Sequence, residues 1–303
     1  MDQFDQLFDQ LQKCCPDIEL LKQEPMARHT TFRIGGPVPL MARPTNEEQV
    51  LACVRLAREN QIPLVVLGNG SNLLVADEGV QAFVLDMTGL SRLERTGERE
   101  ITVGAGVTLA RLASFAAGEG LTGLEFAGGI PGTLGGAVMM NAGAYGGEMV
   151  QVVRRTRCLT PEGTVKEIIG EEHDFSYRHS VFSQGEDVIL SSVLELEPGQ
   201  EEDIRAQMAE LAQKRKSKQP LEYPSAGSMF KRPQGYFAAA LIDQCGLKGF
   251  TVGGAQVSEK HAGFVINRGG ATCADVLALV REVQRRVREQ TGVELEMEVR
   301  RLG

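Results

Sequence analysis

The chain has no apolar run approaching the roughly 18 residues that a membrane-spanning helix needs, so no transmembrane segment is expected. It has no excess of positive charge. Its 32 Lys and Arg stand against 40 Asp and Glu, a net charge of −8, whereas a nucleic-acid binder carries a basic face. It opens MDQFDQLFDQ, acidic where a secretory signal is basic, which predicts no targeting segment. Its six cysteines, at 14, 15, 53, 158, 245 and 273, form no CxxC pair. Without a signal they read as reduced thiols in a cytosol. Cys53 and Cys245 lie in apolar contexts and are expected in the core. The four histidines, at 29, 173, 179 and 261, show no HExxH and no Cys/His grouping, so no metal site is expected. No repeat, low-complexity tract or long linker appears. What remains is an ordinary globular composition, 42% apolar and 24% charged, over 303 residues, which suggests two domains or so.

Against that plain background one stretch stands out, FAGGIPGTLGGAVMMNAGAYGG at 126–147. Eight glycines fall between Gly128 and Gly147, with no charged residue among them. Ile130, Leu134, Val138, Met139 and Met140 argue against a solvated linker. The glycines argue against a core helix, since each costs about 1 kcal/mol relative to alanine in a helix interior. Glycine serves where φ is positive or where backbone must approach a neighbour closely. The segment therefore predicts backbone wrapped around something large and flat or phosphorylated, a nucleotide or a flavin. A second segment, LGNGSNLLVADEG at 67–79, follows a predicted strand at Leu64–Leu67. Gly68, Gly70, Ser71 and Asn72 offer amides and small polar groups that suit a pyrophosphate. It is neither a Rossmann fingerprint, because Leu73 stands where the third glycine belongs, nor a P-loop, because GK[ST] is missing. Alone it reads equally as a tight turn; beside 126–147 the ligand reading gains.

Periodicity predicts a mixed α+β layout. The first helix is amphipathic on Phe4, Leu7, Phe8 and Leu11, and a second starts at Thr45, where Thr45 and Glu48 make a capping-box pattern. Ile101–Val103 reads as strand, Leu109–Ala117 as helix, and 152–196 as strand-rich. A helix follows from 201 toward Pro220, amphipathic on Ile204, Met208 and Leu211. Helices at about 236–245 and 272–290 come next, the latter with Gly292 at a cap position. VELEMEVRRLG predicts a strand with Val293, Leu295, Met297 and Val299 on one face and Glu294, Glu296 and Glu298 on the other.

Four further motifs leave alternatives open. HTTFRIGG sets Thr30 and Thr31 either against a ribityl or phosphate group or in a plain strand and turn. PSAGSMFKRP sets Ser225 and Ser228 beside glycine, ahead of Lys231 and Arg232, without the GxSxG elbow of hydrolases, and reads alone as a solvated turn. FSYRHSVF offers Arg178, either a carboxylate clamp or a surface arginine. The basic run Lys214–Lys218 is a helix end or an anion contact.

Together LGNGSNLL, AGGIPGTLGGAVMMNAGAYGGE, YRHSVF, SAGSMFKRP and LEMEVR, in that order from His29 to the C-terminus, resemble the UDP-N-acetylenolpyruvoylglucosamine reductases, the MurB family. The resemblance implies an α+β protein with the FAD-binding fold of the vanillyl-alcohol oxidase (PCMH-type) superfamily and an added α+β substrate-binding domain. The expected division is 1–90 with the tail 298–303, then 91–213, then 214–297.

FAD, held non-covalently for want of an attachment His or Cys, would lie on Leu67, Gly68, Asn69, Gly70, Ser71, Asn72 and Leu73 of the first loop. In the second loop it would lie on Gly128, Gly129, Ile130, Pro131, Gly132, Gly135 and Gly136, and on Asn141, Ala142, Gly143, Ala144, Tyr145 and Gly146. NADPH is the implied co-substrate, and UDP-N-acetylglucosamine enolpyruvate the implied substrate. Catalysis falls to Arg178, Ser228 and Glu298, with hydride delivered to C3 and a proton from Ser228 to C2. Glu298 is selected over Glu294 and Glu296 by the family pattern, not by alternation. Tyr177, Arg215, Lys218 and Lys231 are the implied substrate contacts.

The chain departs at Arg232, where some members carry asparagine, and the Phe182–Gly199 stretch has no room for the tyrosine-bearing loop of the longer subtype. A cytoplasmic enzyme of peptidoglycan precursor synthesis, without nucleic-acid, membrane or obligate protein partner, is expected. An oxygen-using oxidase of the same superfamily and a non-catalytic nucleotide-binding module are the competing readings.

Overall fold

Helix starts in this chain are written by short polar caps. The computed structural model describes residues 2–303 and holds seven α-helices there. They are α1 (Gln3–Cys14), α2 (Glu47–Glu59), α3 (Leu109–Gly118), α4 (Leu134–Met139), α5 (Glu201–Lys218), α6 (Ala238–Gln244) and α7 (Cys273–Thr291). Asp2 caps α1 and Thr108 caps α3. Thr272 and Asp275 close a reciprocal capping box on α7, and Gly292 ends it in the left-handed region at φ +73°. The cap of α2 is Asn46, one residue beyond the expected Thr45. Asn46 Oδ1 accepts from Gln49 N at 2.9 Å, and Gln49 Oε1 accepts from Thr45 N at 2.8 Å. The cap is thus shifted by one from the Thr45/Glu48 pattern, and the Gln49 side chain reaches back to Thr45 rather than to Asn46.

The chain divides into two compact units. The first comprises residues up to Lys22, Pro39–Asn69 and Ala82–Gln213. It has a four-stranded sheet in the order Glu19–Pro25, Pro37–Arg43, Phe83–Asp86, Leu64–Leu67. Phe83–Asp86 pairs in parallel with both neighbours and is buried along its whole length, as a central parallel strand must be. A five-stranded antiparallel sheet runs Val165–Ile169, Val153–Leu159, Val188–Glu195, Glu100–Gly104, Leu93–Arg95. One continuous core joins both sheets with α1 to α4.

The second unit comprises Gln23–Val38, Gly70–Gln81 and Lys214–Gly303. Its antiparallel sheet runs Ser225–Ser228, Phe264–Asn267, Ala255–Val257, Thr251–Val252. A separate parallel pair joins Arg300–Leu302 to Leu73–Val75. A second core gathers Phe32, Ile34 and Leu74 with Val276, Leu279, Val280, Val283 and Val287 of α7.

Three expectations need correction. Of the supposed apolar face of α5 only Ile204 is buried, while Met208 and Leu211 are half-buried. The helix presents acids in its first turn and Arg215, Lys216 and Lys218 in its last, matching its dipole. Cys245 is half-buried rather than core, whereas Cys53 is fully buried. Residues 293–299 are not a continuous strand. Leu295 and Val299 are buried, in keeping with alternation, but only a bridge between Met297 and Phe230 pairs there before Arg300–Leu302.

No helix is long and apolar enough to cross a membrane. Among the described residues no group of three His, Cys, Asp or Glu could hold a metal ion.

Candidate active site

In the first unit, Leu64–Leu67 delivers the chain into Gly68. A Cβ there would stand 2.3 Å from Thr133 Oγ1, so only glycine lets the two segments meet. Asn69 Nδ2 donates to Pro131 O at 2.7 Å, a second tie between the same segments. Beneath them lies a cavity of about 550 Å³, within the range of small-molecule sites. Val66, Gly68, Thr133, Gly135, Gly136 and Met139 line it, and an apolar portion is formed by Val54, Ala57, Ile62 and Leu64.

Thr133 is the telling residue. It stands at the N-cap of α4 yet makes no capping hydrogen bond, and its hydroxyl is buried without any partner. A buried hydroxyl left unpaired costs about 1–3 kcal/mol, so this one fits a donor awaiting an acceptor in the cavity. Glycine backbone, one orphan hydroxyl and apolar walls suit a flavin dinucleotide, and Arg58, Glu162, Glu186 and Asp187 also line the cavity. Sequence reasoning passed over Thr133; nothing separates a threonine in a glycine-rich turn from its neighbours until Gly68 is seen opposite. Thr133→Val keeps the shape and removes the hydroxyl. It is expected to weaken FAD binding about fivefold to tenfold in a fluorescence titration of the apoprotein, and unchanged affinity would remove Thr133 from the site.

Further along, Gly143–Ala144 and Gly147–Glu148 pair across a two-residue turn. Tyr145 at φ +55° and Gly146 at φ +90° supply the two positive angles that a tight hairpin turn demands. Gly147 lies flat on Phe126, since a Cβ would come within 2.4 Å of the ring.

Arg178 sits on its own turn, at φ +55°. Ser176 and His179 exchange backbone hydrogen bonds at 3.2 Å, with exposed Tyr177 and half-buried Arg178 between them. The Arg178 guanidinium lies over the Tyr177 ring, 5.1 Å from its centroid. The turn is rooted by His173, fully buried and stacked on Phe175 at 4.8 Å. His173 Nδ1 lies 2.9 Å from Gly170 O and Nε2 2.9 Å from Thr156 Oγ1. Burial pushes the His173 pKa down, so the ring is held neutral as an anchor.

In the second unit, Gly70 is at φ +57°, and a Cβ would meet His29 O at 2.0 Å. Thr30 and Thr31 spend their hydroxyls on Ile34 O and Ser225 O, at 3.2 and 2.7 Å. Asn72 Nδ2 donates to Glu298 O at 3.1 Å, and Arg300 N donates to Asn72 O at 3.0 Å. Asp77 caps α7, its carboxylate accepting from Cys273 N at 2.7 Å and Ala274 N at 3.0 Å.

Ser228 is exposed, next to Gly227 at φ +78°, on a strand whose register slips between Ser225 and Ser228. That irregularity turns a strand residue outward. Glu298 N donates to Met229 O at 2.9 Å, and Lys231 N to Glu296 O at 2.8 Å. Met229 and Lys231 therefore share one backbone ladder with Glu296 and Glu298, and Ser228 directly precedes it. Glu298 is half-buried where Glu294 and Glu296 are exposed, a distinction alternation could not make. The Lys231 ammonium pairs with Glu296, and Arg232 stacks on Phe237 at 4.1 Å. Arg215 and Lys218 fall on the last turn of α5.

The family model described as "FAD binding domain" matches residues 38–169, and the C-terminal domain model of UDP-N-acetylenolpyruvoylglucosamine reductase matches 219–302. An alkyldihydroxyacetonephosphate synthase structure, 21% identical, shares the fold over 65% of this chain and 44% of its own, with a TM-score of 0.52. With the FAD-domain match, this places the chain in the α+β FAD-binding fold of the vanillyl-alcohol oxidase superfamily. The crystal structure of the Thermus caldophilus reductase aligns at a TM-score of 0.80 and 37% identity, covering 94% of this chain and 99% of that one. The reductase of Agathobacter rectalis is 49% identical over 95% of both chains. That of Geobacillus thermodenitrificans is 45% identical over 100% of this chain and 99% of its own. Identity of this order, sustained over almost the whole length of both partners, means that this chain belongs to the UDP-N-acetylenolpyruvoylglucosamine reductase family.

Proposed function

We propose that this chain reduces UDP-N-acetylglucosamine enolpyruvate to UDP-N-acetylmuramate with NADPH, through non-covalently bound FAD, in peptidoglycan precursor synthesis. The observation that carries the reading is the backbone pairing that joins the SAGSMFKRP and LEMEVR segments in the second unit, Glu298 N donating to Met229 O and Lys231 N to Glu296 O. An oxygen-using oxidase has no need of that pair of segments. FAD, when bound, would supply hydride transfer between NADPH and the enol-ether C3 of the substrate.

Everything else falls to side chains. Hydride arrival at C3 leaves negative charge at C2, delocalised into the adjacent carboxylate. Arg178 holds that carboxylate with a planar, permanently charged fork, which strengthens as the charge grows. Ser228 Oγ gives its proton to C2; the hydroxyl is a weak acid, but the enolate is a strong base. Glu298 polarises the enolpyruvyl group. Arg215, Lys218, Lys231 and Tyr177 hold the substrate's anionic portion. The glycine-rich backbone at 67–73 and 128–146, with Thr133, holds the cofactor. We assign FAD-binding subdomains to 1–90 with 298–303 and to 91–213, and a substrate-binding domain to 214–297, while 23–38, 70–81 and the tail pack with 214–297 in one compact unit.

A cytoplasmic location agrees with six cysteines that are all free thiols. The test is spectroscopic. The purified protein should be yellow, bleach with NADPH and regain its colour when the enolpyruvyl sugar is added without oxygen. Colour that returns only with oxygen would overturn the reading in favour of an oxidase.

A further inference from the structure

Asn141 lies inside the glycine-rich segment, 2% exposed, at φ +43°. Its side chain is spent within the protein. Nδ2 donates to Glu148 Oε2 at 3.0 Å and to Ser176 O at 3.2 Å, and Oδ1 accepts from Val150 N at 2.9 Å. The partners fix the orientation of the amide, since a backbone N–H can meet only Oδ1 and a carbonyl only Nδ2. Both amide protons are used, so none is left to donate to a cofactor.

Two of these bonds stay close in sequence. The third reaches 35 residues along the chain to the carbonyl that opens the Arg178 turn. The far side of that turn is held too, because Ser180 Oγ and Ser183 Oγ both donate to Met139 O at 2.8 Å. Met139 and Asn141, at the end of α4, thus grip the Ser176–His179 turn on both flanks. Arg178 sits at its apex in a left-handed conformation that a free arginine rarely adopts.

We propose that Asn141 is a positioning residue for Arg178. Its carboxamide fixes the turn and, through the turn, the guanidinium that meets the substrate's carboxylate. The inference rests on the carboxylate-binding role of Arg178. A displacement of about 1 Å in a catalytic group can cost 10²-fold in rate, so loss of this tie should be felt in one half-reaction alone.

The test uses N141D/E148Q in the holoenzyme. Asp keeps the shape and the acceptor for Val150 N. Gln at 148 restores a donor between the two side chains, which removes charge repulsion as an explanation. The Ser176 carbonyl then loses its side-chain donor and keeps only the bond from His179 N. Flavin content, melting temperature and bleaching by NADPH should stay within about twofold of the parent, while recovery with the enolpyruvyl sugar slows about 10–100-fold. In an R178A background the same pair of changes should have almost no further effect on recovery. Full recovery in N141D/E148Q, equal slowing of both half-reactions with loss of flavin, or an undiminished effect in R178A would each overturn the inference while leaving the Arg178 role standing. Recovery at the parent rate in R178A alone would instead bring down the Arg178 role, and this inference with it.

Discussion

Ser228→Ala is expected to slow recovery of flavin colour with the enolpyruvyl sugar about 10²–10⁴-fold, the usual contribution of a positioned general acid. Bleaching by NADPH should be nearly unchanged, because no proton passes through Ser228 in that half of the reaction. The asymmetry is the informative part. Ser228 is exposed and stands at the irregular end of its strand, so removing its hydroxyl leaves no buried group unpaired and should cost little stability. An equal loss in both half-reactions would falsify the proton-donor role, since general damage to the site moves both. Ser228→Cys offers a second reading of the same chemistry. Its thiol is the stronger acid, so recovery should exceed that of the alanine variant.

Arg178→Ala is the other large effect. A fixed cation facing charge that grows during the reaction is worth about 10²–10³-fold in rate, as for other donors aimed at a developing anion. The loss should fall on recovery with the enolpyruvyl sugar, and the substrate's apparent affinity should drop with it. Arg178→Lys should restore only part, because an ammonium cannot reproduce a bidentate grip on a carboxylate. Arg178 stands at φ +55° in a turn whose flanks bond to Met139 and Asn141. Lysine that matches arginine in every step would mean that a point charge suffices and that the turn's geometry is incidental.

The glycine-dense segment was legible because eight glycines without a charge admit few explanations. α3 and α7 were legible because their apolar periodicity agrees with their caps. The N-cap of α2 slipped by one residue, since Thr45 and Asn46 are both capping residues and Glu48 and Gln49 both suit the third position. Only the bond from Gln49 N to Asn46 Oδ1 decides between them. Residues 293–299 misled differently. Their alternation survives as burial, yet a strand also needs a partner along its length, and partner geometry is not written locally. The exposure of Glu294 and Glu296 against the partial burial of Glu298 depends on that same missing partner. Asn72 and Asn141 read as ligand-facing because they sit among glycines, whereas their side chains bond to Glu298 O and Ser176 O, residues far along the chain.

The second unit draws its core from three stretches that lie far apart in the chain. Phe32 and Ile34 come from the first, Leu74 from the second, and their partners lie between Ala226 and Val299. The last strand in the chain, Arg300–Leu302, pairs with Leu73–Val75. During synthesis on the ribosome the residues of the first unit have all been made once Gln213 emerges. Phe32, Ile34 and Leu74 then still lack core partners that lie between Ala226 and Val299. A nascent chain in that state exposes apolar surface until those residues have been made.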